Sequence, residues 1–332
     1  MKNSILFVFI LLMSSHSYSS SQGDTTIQKD YYSALQLYQQ QNYTLARETL
    51  KKNFRLDSAS TYLYALTFYD SMHIQNKDEY RYALLAAKKG NIYAITSLSK
   101  SRSLGNSNKW KSFIIPILHV LAESGDTRAM RILSILDMEN YFHWIEKAAN
   151  ADDGYAQYKL ARLYEIGEGW FFTSARRKNK ISELKLQSAK NGYDKAIIDI
   201  GMNHFNSGEI KKAESTWLPL IKNGNANAIL ALAITYKNTS NQHINNNLIK
   251  SAFYYKIYFN SIVGERDNFY DHHFNSYKKT LKKLTKEEVN IVNNNFNNYI
   301  KTHSVQYSND IDYRYDLPDM YLDDLYHLVS NL

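Results

Sequence analysis

A chain of 332 residues with 44% hydrophobic residues, 3 prolines and 12 glycines can bury apolar surface along its whole length, which excludes a disordered polymer. It has no cysteine, which excludes disulfides, thiol catalysis, cysteine metal sites and the lipid-bearing cysteine of a bacterial lipoprotein. The formal charge of +8 is uneven: residues 304–332 hold six aspartates and one arginine, so the tail is −5 and the body +13, and the expectation is a solvated basic surface onto which the acidic tail folds back.

Residues 1–22 read as a secretory signal. Lys2 gives the positive start, Ile5 to Met13 the apolar core, and Ser15, Ser17, Ser19 and Ser21 the small residues for cleavage. The apolar run is shorter than the roughly 20 residues that cross a bilayer. Export is expected, to the periplasm if the cell is Gram-negative. Residues 27–76 read as about three capping helices, with Ala34, Leu35 and Tyr38, then Ala46 and Leu50, at helical spacing around a polar turn of Gln39, Gln40, Gln41 and Asn42.

Residues 77–240 repeat themselves. A small or aliphatic pair, a turn and an anchoring alanine recur: Ala86-Ala87 with Ala94, Leu121-Ala122 with Ala129, Ala148-Ala149 with Ala156, Ser188-Ala189 with Ala196, and Leu220-Ile221 with Ala228. The alanines stand 35, 27, 40 and 32 residues apart, a period that signals stacked helical hairpins. Gly90, Gly125, Gly192 and Gly224 fall where one helix ends and the next begins, and Asp152 takes that place once. Four residues past each alanine stands an aliphatic residue (Leu98, Leu133, Leu160, Ile200, Leu232), followed by a small one (Ser99, Ser134, Ala161, Gly201, Ala233), as close helix packing requires. Pro116 predicts a helix start or kink. Residues 167–180 are the longest interruption, an aromatic cluster beside a charge run. Residues 241–332 read as a helical cap ending in the acidic tail. Thr285 and Glu288 there form a capping-box pattern, and a last helix is expected beyond Pro318.

Ala148-Ala149, Tyr155 to Ala161, Leu163-Tyr164 and Gly167-Glu168-Gly169 resemble the Sel-one-like repeat, a relative of the tetratricopeptide repeat, and Lys212-Ala213 with Trp217 resembles part of another copy. The resemblance implies an all-α fold, an α-solenoid of stacked hairpins with helical caps, that acts by binding another protein. In that family the first helix of each hairpin lines the concave side, which makes Arg131, Tyr158, Lys159, Arg162 and Asp199 candidate contacts.

No catalytic or metal-binding pattern stands out: His272 and His273 are adjacent and point apart on a helix, and the expectation is no enzyme activity, no cofactor and no metal. No nucleic-acid motif accompanies the basic charge, so no nucleic-acid partner is expected. The best surface candidate is the 167–180 segment. Trp170, Phe171 and Phe172 with Arg176 and Arg177 either insert into a partner or a lipid surface, or tuck the aromatics under the next repeat with the charges in water. Relatives by resemblance include immunity proteins that neutralise secreted antibacterial effectors such as phospholipases, which is the reading preferred for a short exported chain. An envelope-complex adaptor or secreted host-interaction factor is the alternative. A lipid-binding module or enzyme using the 167–180 loop is the reading from a different class.

Overall fold

The computed structural model describes residues 22–40, 42–68, 77–100, 107–239, 244–261 and 268–305. The expected secretory segment, apart from Gln22, and the helix expected beyond Pro318 lie outside the described residues. Among those described, the chain is all-α, with sixteen α-helices and no strand.

Consecutive helices pair as hairpins. α1 (Gln22–Gln39) packs on α2 (Tyr43–Leu50), α3 (Ser58–Leu66) on α4 (Lys77–Lys88), α5 (Ile92–Lys100) on α6 (Ser107–Glu123), and α7 (Thr127–Leu136) on α8 (Tyr141–Asn150). Next come α9 (Gly154–Glu165) on α10 (Ser174–Lys190), α11 (Asp194–Asn206) on α12 (Ile210–Lys222), and α13 (Ala226–Asn238) on α14 (Ile244–Ser261), against which α15 (Asn268–Leu281) and α16 (Lys286–Tyr299) close. First helices also touch across hairpins, α1 with α3, α5 with α7 and α11 with α13. A stack drawn together along one layer is a solenoid, which is the architecture the repeat pattern implies.

The turn between hairpins is built the same way each time. The amide of residues 91, 126, 153, 193 and 225 donates to the carbonyl five residues back, and the residue before it is left-handed. Glycine supplies that conformation at four turns; at the fifth Asp152 adopts φ 60°, among the described residues the one non-glycine with positive φ. The turn then caps the next helix. Asn91, Asp126, Asp153 and Asn225 accept a hydrogen bond from the amides of Ala94, Ala129, Ala156 and Ala228, so the anchoring alanine sits where a capped amide and a buried small side chain coincide.

Large and small residues pack as their spacing requires. A Cβ on Gly201 would lie 2.1 Å from Nε1 of Trp217, which is fully buried and donates to the Ile198 carbonyl. Pro116 lies inside α6, which continues through it; buried Ile114 and Leu118 hold that helix against its neighbours while the proline removes one backbone hydrogen bond. The capping box forms as expected, Thr285 and Glu288 each accepting from the other's amide at 3.2 and 2.8 Å. Two apolar cores result, one running from Tyr31 to Leu184 and one from Ala213 to Val305. A small cluster of Tyr155, Tyr193 and Ala196 lies between them.

Candidate interaction surface

The loop between α9 and α10 spans residues 166–173, because the Thr173 hydroxyl accepts from the Arg176 amide and starts α10 at Ser174. The charge run expected in the loop therefore lies on the first turns of a helix. Gly167 and Gly169 are both left-handed, and a Cβ on Gly169 would approach Tyr164 Cε1 to 2.8 Å, so the loop doubles back against the end of α9.

Arg177 fastens it there. Its guanidinium donates to the carbonyls of Tyr164 and Glu168, each at 2.9 Å, and of Gly169 at 3.0 Å. It also lies 5.0 Å from the centre of the Phe171 ring, which meets Tyr164 edge-on at 4.9 Å. Hydrogen bonds from a charged donor are the stronger kind, and three of them from one planar group fix a loop in one shape. Phe171 and Arg177 thus belong to the fastening: the ring packs on Tyr164 of its own hairpin rather than under the next repeat, and the Arg177 charge is directed to loop carbonyls rather than to water.

Trp170 and Phe172 do the opposite. They are 72% and 73% exposed, pack edge-to-face with centroids 4.1 Å apart, and carry Arg176 at 5.5 Å from the Phe172 ring. Ile166, equally exposed, precedes them. Packing within the described chain does not account for this apolar tip.

The candidates on the first helices divide as well. Tyr158 donates to Asp199 Oδ2 at 2.9 Å, and Lys185 Nζ lies 3.5 Å from that oxygen and 2.6 Å from Glu165 Oε1; Arg162 pairs with the same Glu165. One polar network thereby crosses α9, α10 and α11. Burial first, then the Asp199 charge and hydrogen bond, raise the Tyr158 hydroxyl far above the ordinary phenol range, so it is a donor at any physiological pH. Lys159 is half-buried on α9.

Arg131 is not a surface residue. Its side chain is 3% exposed, with Nε 3.1 Å from Asp153 Oδ2 and the guanidinium 5.6 Å from the Tyr155 ring. Asp153 is also the cap of α9, so Arg131 is drawn inward by the turn chemistry of the next hairpin. Sequence reasoning missed Lys185 and Glu165. Glu165 stands three residues after Arg162, a spacing that signals an ion pair, whereas Lys185 arrives from another helix with no local signal.

No family model and no curated protein matches the sequence. Among solved structures, the chain is similar to a protective antigen present in uropathogenic Escherichia coli strains that displays an SLR fold. The two are 16% identical with a TM-score of 0.44, over 88% of this chain and 62% of that one, so the chain spans less than two thirds of that protein's length.

Proposed function

We propose that this protein is a non-enzymatic binding scaffold that engages another protein through the tip of the 166–173 loop. The observation that carries the reading is the exposed Trp170–Phe172 pair held on a loop that Arg177 fastens at three carbonyls. Aromatic and arginine side chains supply most interface energy, and a loop already ordered before binding loses little entropy on contact. The network of Tyr158, Arg162, Glu165, Lys185 and Asp199 pairs its charges internally, which suits a structural brace between hairpins rather than a reactive centre.

The finer reading is an exported, periplasmic immunity protein whose partner is a secreted antibacterial effector. Crosslinking of the tagged chain in its native envelope, followed by identification of the captured proteins, tests it. Recovery of one secreted toxin at near-equal stoichiometry, lost in a Trp170→Ser, Phe172→Ser variant, supports the reading; capture of resident envelope proteins replaces it with an adaptor. Sedimentation with anionic liposomes is the companion measurement. Lipid binding that the same variant abolishes would move the tip from a protein partner to a membrane surface.

A further inference from the structure

The end of the described chain lies back on the beginning. After α16 the segment 303–305 runs over the turn before α13: a Cβ on Gly224 would lie 2.0 Å from the Ser304 carbonyl oxygen, and Val305 is buried in the second core. The Val305 carbonyl then accepts from Gln40 Nε2 at 2.8 Å, in the turn of the first hairpin. The acidic tail therefore departs from a point fixed against the N-terminal end of the stack.

A basic pocket of about 470 Å³ opens in that N-terminal region. Arg55, Arg81, Lys88 and Lys89 line it together with Tyr82, Leu84 and Leu85, Lys89 donating to the Arg55 carbonyl, and no carboxylate lines it. The turn at its edge is unusual. Gly125, Asp152 and Gly192 are exposed in their turns, whereas Gly90 is buried, as Gly224 is beneath Ser304. Asn91, next to Gly90, is wholly buried, and its Nδ2 has no hydrogen-bond partner, while the counterpart Asn225 Nδ2 donates to Asp194 at 2.6 Å. Four cationic side chains with no carboxylate among the lining make a surface complementary to an acidic segment.

We propose that residues 306–332 dock on this pocket as a tethered acidic ligand. They hold all six aspartates of the tail, at positions 310, 312, 316, 319, 323 and 324, with Arg314 as their one arginine. The tail leaves from Val305, which is held at the turn of the first hairpin, and tethering there keeps its local concentration high over the N-terminal region. An acidic partner for the same pocket must then displace the tail.

The full chain tests this directly, because its lack of cysteine allows a nitroxide pair at Lys77→Cys and Met320→Cys without background labelling. Docking gives one narrow distance peak at low salt. The peak broadens in 1 M salt, where screening acts over about 3 Å, and also when Arg81→Gln and Lys88→Gln are added. Both side chains are exposed, and circular dichroism verifies that the helices remain. A broad distribution at low salt overturns the proposal, as does a narrow one indifferent to salt and to both substitutions. A peak that disappears when the labelled chain is mixed with excess unlabelled chain also overturns it, since the tail then sits on a second copy.

Discussion

Asp57 shows how one residue serves two opposed requirements. Its Oδ1 caps α3 by accepting from the Ser60 amide at 2.7 Å, while its Oδ2 is buried without a hydrogen-bond partner. Burial holds this carboxyl above the ordinary carboxylate range, against the lowering effect of the Ser60 hydrogen bonds and the Lys89 charge. Because the folded value is raised, the folded state binds the proton first: the group opposes folding at neutral pH, and that penalty is relieved as pH falls through the raised value toward the ordinary value near ~3.9. Asp57→Asn keeps an oxygen for the cap and removes the buried charge. It is expected to raise the unfolding midpoint at pH 7 and to flatten the acid-side gain; a lower midpoint at pH 7 would count against this account. Gly201 carries a simpler prediction. Gly201→Ala drives a methyl into the Trp217 ring, and overpacking of this kind costs about 1–3 kcal/mol, read as a lower urea midpoint.

At the scale of the element, the turn between hairpins joins capping to ion pairing. Asp153 caps α9 and faces the buried Arg131, so Asp153→Ala removes a cap and the carboxylate opposite a buried guanidinium together. A loss of roughly 3–5 kcal/mol is expected for breaking such a pair. Arg131→Met in the same chain should restore much of it, since the remaining cost is then only the cap, about 1 kcal/mol. A double variant no more stable than Asp153→Ala would show that the pair carries little. The loop element gives a different readout. Arg177→Ala removes three hydrogen bonds to loop carbonyls, so protease cleavage within 166–173 should quicken while the global unfolding midpoint moves little.

These same elements show what the sequence made legible. Turn glycines, anchoring alanines and the Thr285–Glu288 box rest on local chemistry, and each was readable because its partners lie within a few residues. The loop boundary was misread because one hydroxyl, Thr173, decides where α10 begins. Arg131 was misread as a contact because its partner belongs to another hairpin. Trp170, Phe171 and Phe172 looked equivalent in sequence; only the path of the loop over Tyr164 separates the inward ring from the two outward ones.

Across the whole molecule, a stack of hairpins draws stability from intrinsic terms and nearest-neighbour contacts, so damage at one turn is expected to stay local. Gly192 and Gly224 test where that rule ends. Both are left-handed, at φ 83° and 79°, so an alanine at either costs about 1–2 kcal/mol in backbone strain. At Gly192 nothing lies within 4 Å of the added methyl, whereas at Gly224 it collides with the Ser304 backbone, which leads through Val305 to Gln40. Gly192→Ala should therefore lower stability by the strain alone. Gly224→Ala should lower it further and also speed hydrogen exchange in α1, far away in sequence, because displacing residues 304–305 frees the turn that holds Gln40. Equal effects on stability, with α1 exchange unchanged in both, would mean that the contact between the two ends adds nothing and that the stack behaves as an open array.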